Sequence, residues 1–246
     1  MGILNLIVSL ALGVWLWASS AIAAVTFDAA SSSAGADTTS HSHTIAADAN
    51  LVVVHVLLRD GGLSPSGAVS VTIGGQAASL ISGCDATAGA NRVQLWGKTA
   101  PLTGAQTVAV DASGGTIDYM ATGVTSFKGA AQSGTFGTCV TDTTNPGTNV
   151  DINAIGSAVG EMGVMGVSDN VGTATSCAPD AATPTSTERF NLHSSSQMSG
   201  CGYTEDGASG TIDMRVDIST STAAAGAAVS IRADTTGRRA GSPILF

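Results

Sequence analysis

Residues 68–81 read AVSVTIGGQAASLI, and their pattern decides the fold. Val69, Val71 and Ile73 alternate with Ser70 and Thr72, the period of a strand with one buried face. Gly74-Gly75 then supplies two residues that tolerate positive φ, as a tight hairpin turn requires, before the chain runs back toward Ile81.

The same alternation recurs along the chain: Val93 and Leu95, Val108 and Val110, Ile117, Tyr119 and Phe127 on one long strand over 116–127, Val150 and Ile152, Met162 and Val164, Phe190 and Leu192, Ile212 to Ile218, Val229 and Ile231. Residues 51–58, LVVVHVLL, are apolar on both faces and predict a central strand covered on both sides. Gly, Ser, Asp, Asn, Thr and Pro fill the connections. Ten to twelve short strands of this kind predict an all-β, antiparallel β-sandwich of jelly-roll type over residues 24–233, followed by a tail at 234–246.

Composition agrees. Only 11% of the 246 residues are charged, well under the roughly 25% of an average domain, so the surface must be built from Ser, Thr, Asn, Gln and Gly. That suits strands better than solvent-exposed helices. Eighteen acidic residues against nine basic ones, a net charge of −9, give no cationic footprint and argue against nucleic-acid binding.

Residues 1–23 stand apart. The segment over 3–24 carries no charge, predicts an apolar N-terminal helix, and ends in small residues with Ala21 and Ala23 in A-x-A positions. A signal peptide cleaved after Ala23 is the favoured reading, and a membrane anchor through residues 3–24 is the competing one. Export places the protein in an extracellular, periplasmic or cell-surface setting. There, four cysteines pair, and Cys177–Cys201 with Cys84–Cys139 is the preferred one of three connectivities.

The blocks VTFDAASSS (25–33), LVVVHVLLR (51–59), SVTIGGQAASLI (70–81) and NRVQLWGKTAP (91–101), with the closing GAAVSIRAD (226–234), loosely resemble jelly-roll-type modules of bacterial secreted or surface proteins and of phage virion structural proteins. The resemblance spans most of residues 25–233. It implies a scaffold, capsid-decoration, tail or adhesive role, with protein partners or self-assembly and a virion as the alternative location. It brings no catalytic residues.

Chemistry-bearing residues are few. No Ser lies in a G-x-S-x-G elbow, and the three glutamates form no recognisable acid pair, so catalysis is not expected. His41 and His43 have the i, i+2 spacing of an edge-on metal chelate, but filling outward positions of a solvated edge strand is the favoured reading. His55 is expected as a core histidine. Acidic turns at Asp111 to Asp118, Asp142 to Asp151 and Glu205-Asp206 could hold Ca²⁺, although capping of the turns is the simpler role. Trp96 is expected on a polar face with Arg92, Gln94 and Lys98. There an indole flanked by cations could bind a glycan, with Tyr119, Tyr203 and Phe136 as the other aromatics at hand, unless a second layer covers it.

Overall fold

In a computed structural model, the described residues are 24–62, 64–170, 177–179, 186–194 and 198–236. The apolar N-terminal segment, the cleavage site at Ala23 and the tail beyond Thr236 lie outside them. In chain order the strands are β1 (Thr26–Gly35), β2 (Thr38–Ile45), β3 (Ala49–Arg59), β4 (Ser70–Ile73), β5 (Gln76–Ala77), β6 (Ser79–Ala88), β7 (Asn91–Thr99) and β8 (Gly104–Asp111). They continue with β9 (Tyr119–Lys128), β10 (Val140–Ser157), β11 (Met162–Asp169), β12 (Cys177–Pro179), β13 (Thr187–Ser194), β14 (Met198–Asp206) and β15 (Gly210–Ile231). Every pairing between them is antiparallel, as the alternation predicts.

Three sheets form, and the reason lies in β3. It sits in the middle of a five-stranded sheet of order β1-β9-β3-β7-β6, and its residues point alternately to two cores. Leu51, Val53 and Leu57 pack with Val164, Ala225, Ala227, Val229 and Ile231 of a six-stranded sheet, ordered β10-β15-β11-β14-β13 with β12 alongside β15. Val52, Val54, Val56 and Leu58 pack with Ile45, Val71, Ile73, Val108 and Val110 of a four-stranded sheet, ordered β2-β8-β4-β5. A strand apolar on both faces needs two covering layers, and the sandwich gains a third sheet to provide them.

The hairpin at 68–81 forms around Gly74 and Gly75, both at positive φ (56° and 75°). Its return limb is shorter than the sequence suggests. Ala78 breaks the strand after β5, and the chain crosses from the four-stranded to the central sheet as β6. The long strand expected over 116–127 starts only at Tyr119, because residues 112–115 turn and 116–118 run irregularly, the Asp118 carboxylate accepting the Gly61 N–H. Ile117 therefore packs on the core opposite to that of Tyr119 and Phe127.

The β10–β15 pair is a long ribbon. Residues 140–144 pair with 224–228 inside the sheet, and after register shifts residues 149–157 pair with 210–217. This outer half folds back over the sheet, packing Val150, Ile152, Ile155, Met214 and Val216 on Met165, Val167 and Tyr203 as a third core. Two disulfides hold these layers. Cys84–Cys139 ties the edge strand β6 to the start of β10, and Cys177–Cys201 ties β12, paired to the folded-back half of β15, to β14. Both are the preferred pairs, with Cα separations of 5.5 and 6.4 Å inside the usual range.

Candidate functional site

Arg92, Gln94, Trp96 and Lys98 do share one face of β7, but that face turns toward the four-stranded sheet. Their neighbours across β3 are Leu58, Val56, Val54 and Val52, all fully buried. Trp96 is partly buried and packs on the core between these two sheets, so a second layer covers much of the indole. Leu80, 39% exposed, stands opposite it on the edge strand β6.

The polar atoms of this face bind one another. The Trp96 indole N–H donates to Gln94 Oε1 (3.1 Å), and Gln94 Nε2 donates to Asp85 Oδ2 (2.9 Å). Arg92 grips both Asp85 oxygens (2.8 and 2.7 Å), a bidentate pair, and also donates to the Gly67 carbonyl. Partial burial pushes the Asp85 carboxyl up, yet hydrogen bonds from Arg92 and Gln94 outweigh it and hold the group below its ordinary value. Arg92 is thus committed to Asp85, while Lys98 is partly buried toward the end of the strand. Asp85 was not legible beforehand, because an irregular register between Leu80 and Asp85 sets which β6 residue faces Gln94.

Tyr203 cannot extend an aromatic platform there. It is fully buried under the folded-back ribbon, where its hydroxyl donates to Glu188 (3.1 Å) and burial raises its pKa. A groove of about 380 Å³ lies by the free edge of β6, lined in part by Leu80, Ile81, Gly97 and Phe136.

A second constellation involves both histidines of β2. The expected outward placement is reversed: Ser40 and Ser42 face solvent, whereas His43 is 1% exposed and His41 partly buried, on the inner side of the strand. Both rings converge on one hydroxyl, with Ser31 Oγ of β1 2.8 Å from His43 Nδ1 and 3.2 Å from His41 Nε2. The far nitrogens, His41 Nδ1 and His43 Nε2, are buried without partners. Next along the strand, Thr39 and Thr122 of β9 join hydroxyls at 2.7 Å. Burial, then the neighbouring His41, pull the His43 pKa down to about 4 against the opposing pull of Asp28, and burial also lowers that of His41. Both facing nitrogens are engaged with Ser31. Among the described residues no three His, Cys, Asp or Glu side chains converge to hold a metal.

His55 is a core histidine. Its Nε2 bonds Thr125 Oγ1 (3.2 Å), and complete burial holds its pKa at about 3. Of the three acidic stretches only the first is a capped turn, where Asp111 accepts from the N–H and hydroxyl of Ser113. Asp142 and Glu205 lie within β10 and β14 instead, Asp142 accepting from the N–H of Thr143 and Asp151 and Glu205 from the Ser186 hydroxyl.

Compared with protein-family models, with curated proteins and with solved structures, the chain gives no significant match.

Proposed function

We propose that the chain is a non-enzymatic structural or adhesive β-sandwich module of a larger extracellular, cell-surface or virion assembly. The observation that carries this reading is where the polar side chains go. Ser31, His41 and His43 lace two layers together, as do Thr39 and Thr122, while Asp85, Arg92, Gln94 and Trp96 bind one another at the rim of that joint. Groups engaged in this way rigidify a scaffold rather than wait for a substrate. Both disulfides are compatible with an oxidising compartment and reinforce the same rigidity.

What faces outward supports contact with other surfaces. The outer side of the four-stranded sheet carries Thr38, Ser40, Ser42 and Thr44 on β2, Thr107 on β8 and Ser70 on β4, short side chains that another surface can approach closely. Light scattering on the purified, oxidised chain, together with a panel of ester and glycoside substrates, tests the reading. Self-association without turnover supports it, and turnover abolished by Ser31→Ala overturns it in favour of a hydrolase.

A carbohydrate-binding module is the second reading, favoured by the partly exposed Trp96 beside Leu80. Glycan-array binding that Trp96→Ala abolishes would select it.

A further inference from the structure

The three layers are not held alike. Cys84–Cys139 ties the central sheet to the start of the six-stranded one, and Cys177–Cys201 ties the folded-back ribbon down. The four-stranded sheet, formed by β2, β8, β4 and β5, contains no cysteine. Its grip on the central sheet is apolar under β8 and β4 but polar under β2, where Thr39, His41 and His43 face β1 and β9.

That polar seam tolerates only neutral rings. When both imidazoles are neutral, one ring donates N–H to Ser31 and Ser31 donates to the other ring. Protonating the accepting ring puts a hydrogen on the nitrogen that faces Ser31, so the Ser31 hydroxyl must turn its own hydrogen away and accept from both rings. Each charged ring also carries an N–H on its far nitrogen, which is buried without a partner, and two charged rings side by side repel. The charged groups nearest the seam come from β1 and β9 and are already paired. β1 offers Asp28, whose Oδ2 already accepts from Ala46 N and Ser126 Oγ. β9 brings Lys128, which pairs with Asp28 at 3.8 Å and with Asp48 of the β2–β3 turn at 2.8 Å. β8 sets Val108 and Gln106 beside the two histidines, and neither titrates.

We propose that the four-stranded sheet is an acid-released flap: in mild acid it lifts from the β1–β9 edge along the Ser31, His41 and His43 seam, while the two disulfide-tied sheets stay together. The short connections β1–β2 (residues 36–37), β2–β3 and β5–β6 are the pivots, and opening uncovers the apolar face of Val52, Val54, Val56 and Leu58. His55 belongs to the opposite joint, so its protonation does not drive this step.

Hydrogen–deuterium exchange of the full, oxidised chain between pH 7.5 and 4.5, corrected for intrinsic rates, tests the proposal. Segments 38–45, 104–111 and 70–77 should lose protection first, by up to tenfold per pH unit for each ring that charges on opening and up to a hundredfold for two. Segments 162–169 and 224–231 should keep theirs over the same range. The His41→Asn/His43→Gln variant should lose this selective step. In wild-type protein, the ring resonances of both histidines should titrate together with the exchange change, which decides the matter if the variant does not fold. Protection lost in all segments at once, a selective step unchanged in the double variant, or rings that titrate with no change in exchange would each overturn it.

Discussion

The imidazole of His55 on β3 meets the ring of Phe190 on β13 edge to face, 5.1 Å between centroids, across the joint of the central and six-stranded sheets. The same ring lies over Gly123 of β9 and Gly202 of β14, at both of which an added Cβ would collide with it. Two glycines and one aromatic therefore set how closely these sheets approach.

Substituting Gly123→Ala should destabilise the fold by about 1–3 kcal/mol, since a well-packed joint cannot absorb a methyl group without shifting the ring. Phe190→Leu should cost roughly 1–2 kcal/mol alone and recover part of the loss in the double variant. Urea melts of the four proteins check this; strictly additive losses would show that ring and glycine do not meet.

Acid should weaken the protein well before its carboxylates protonate. The pKa of His55 falls from 6.5 to about 3 on burial, and that of His43 to about 4. Their folded values lie below the unfolded one, so the unfolded chain takes up the protons first. Stability is full above about pH 6.5 and declines as pH drops toward 4 and then 3, by at most about 1.4 kcal/mol per unit for each fully buried ring. His55→Gln should lower the melting temperature at pH 7 but flatten its fall between pH 6.5 and 4. An unchanged slope would assign the acid response elsewhere.

Asp85 acts at the acid end of this range. Arg92 and Gln94 hold its pKa below the ordinary 3.8, so the stability it contributes is lost only as pH falls beneath that value. The carboxylate is about a third exposed, which limits the pair to roughly 1 kcal/mol. Arg92→Ala should therefore destabilise only mildly and move the Asp85 carboxyl resonance upward. A loss of several kcal/mol would mean that Arg92 also holds the Gly67 loop in place.

How much of this was readable beforehand follows from which interactions are local. Strand alternation and the Gly74-Gly75 turn are set within a few residues, so the antiparallel sandwich and the double-faced β3 could be read directly from the sequence. Coverage of both faces of residues 51–58 was readable, but the third sheet that supplies it, and its strands, were not. The meeting of Ser31 with His41 and His43 depends on how β1 and β2 leave one another for different sheets. Likewise, Asp85 faces Gln94 only because of the irregular register in β6. Alternation placed Trp96 with its polar neighbours correctly, yet it is blind to a sheet arriving from elsewhere in the chain.

The two disulfides should fail differently when removed. The chain-entropy model gives about 4 kcal/mol for Cys84–Cys139, which spans 55 residues, and about 3.5 kcal/mol for Cys177–Cys201, which spans 24. Their positions separate them more than these magnitudes do. Cys84→Ser/Cys139→Ser releases the edge of the central sheet from β10 and should lower the cooperative melting temperature of the whole. Cys177→Ser/Cys201→Ser leaves both large sheets joined and frees β12 from β14, so the folded-back ribbon loses its covalent clamp. Exchange protection should then drop locally in 149–157 and 210–218 ahead of global unfolding, exposing Ile152, Met214 and Val216 to solvent and increasing binding of an apolar dye. If those segments stay as protected as 162–169 after the second pair is removed, packing alone holds the ribbon down and the bridge merely stabilises the fold as a whole.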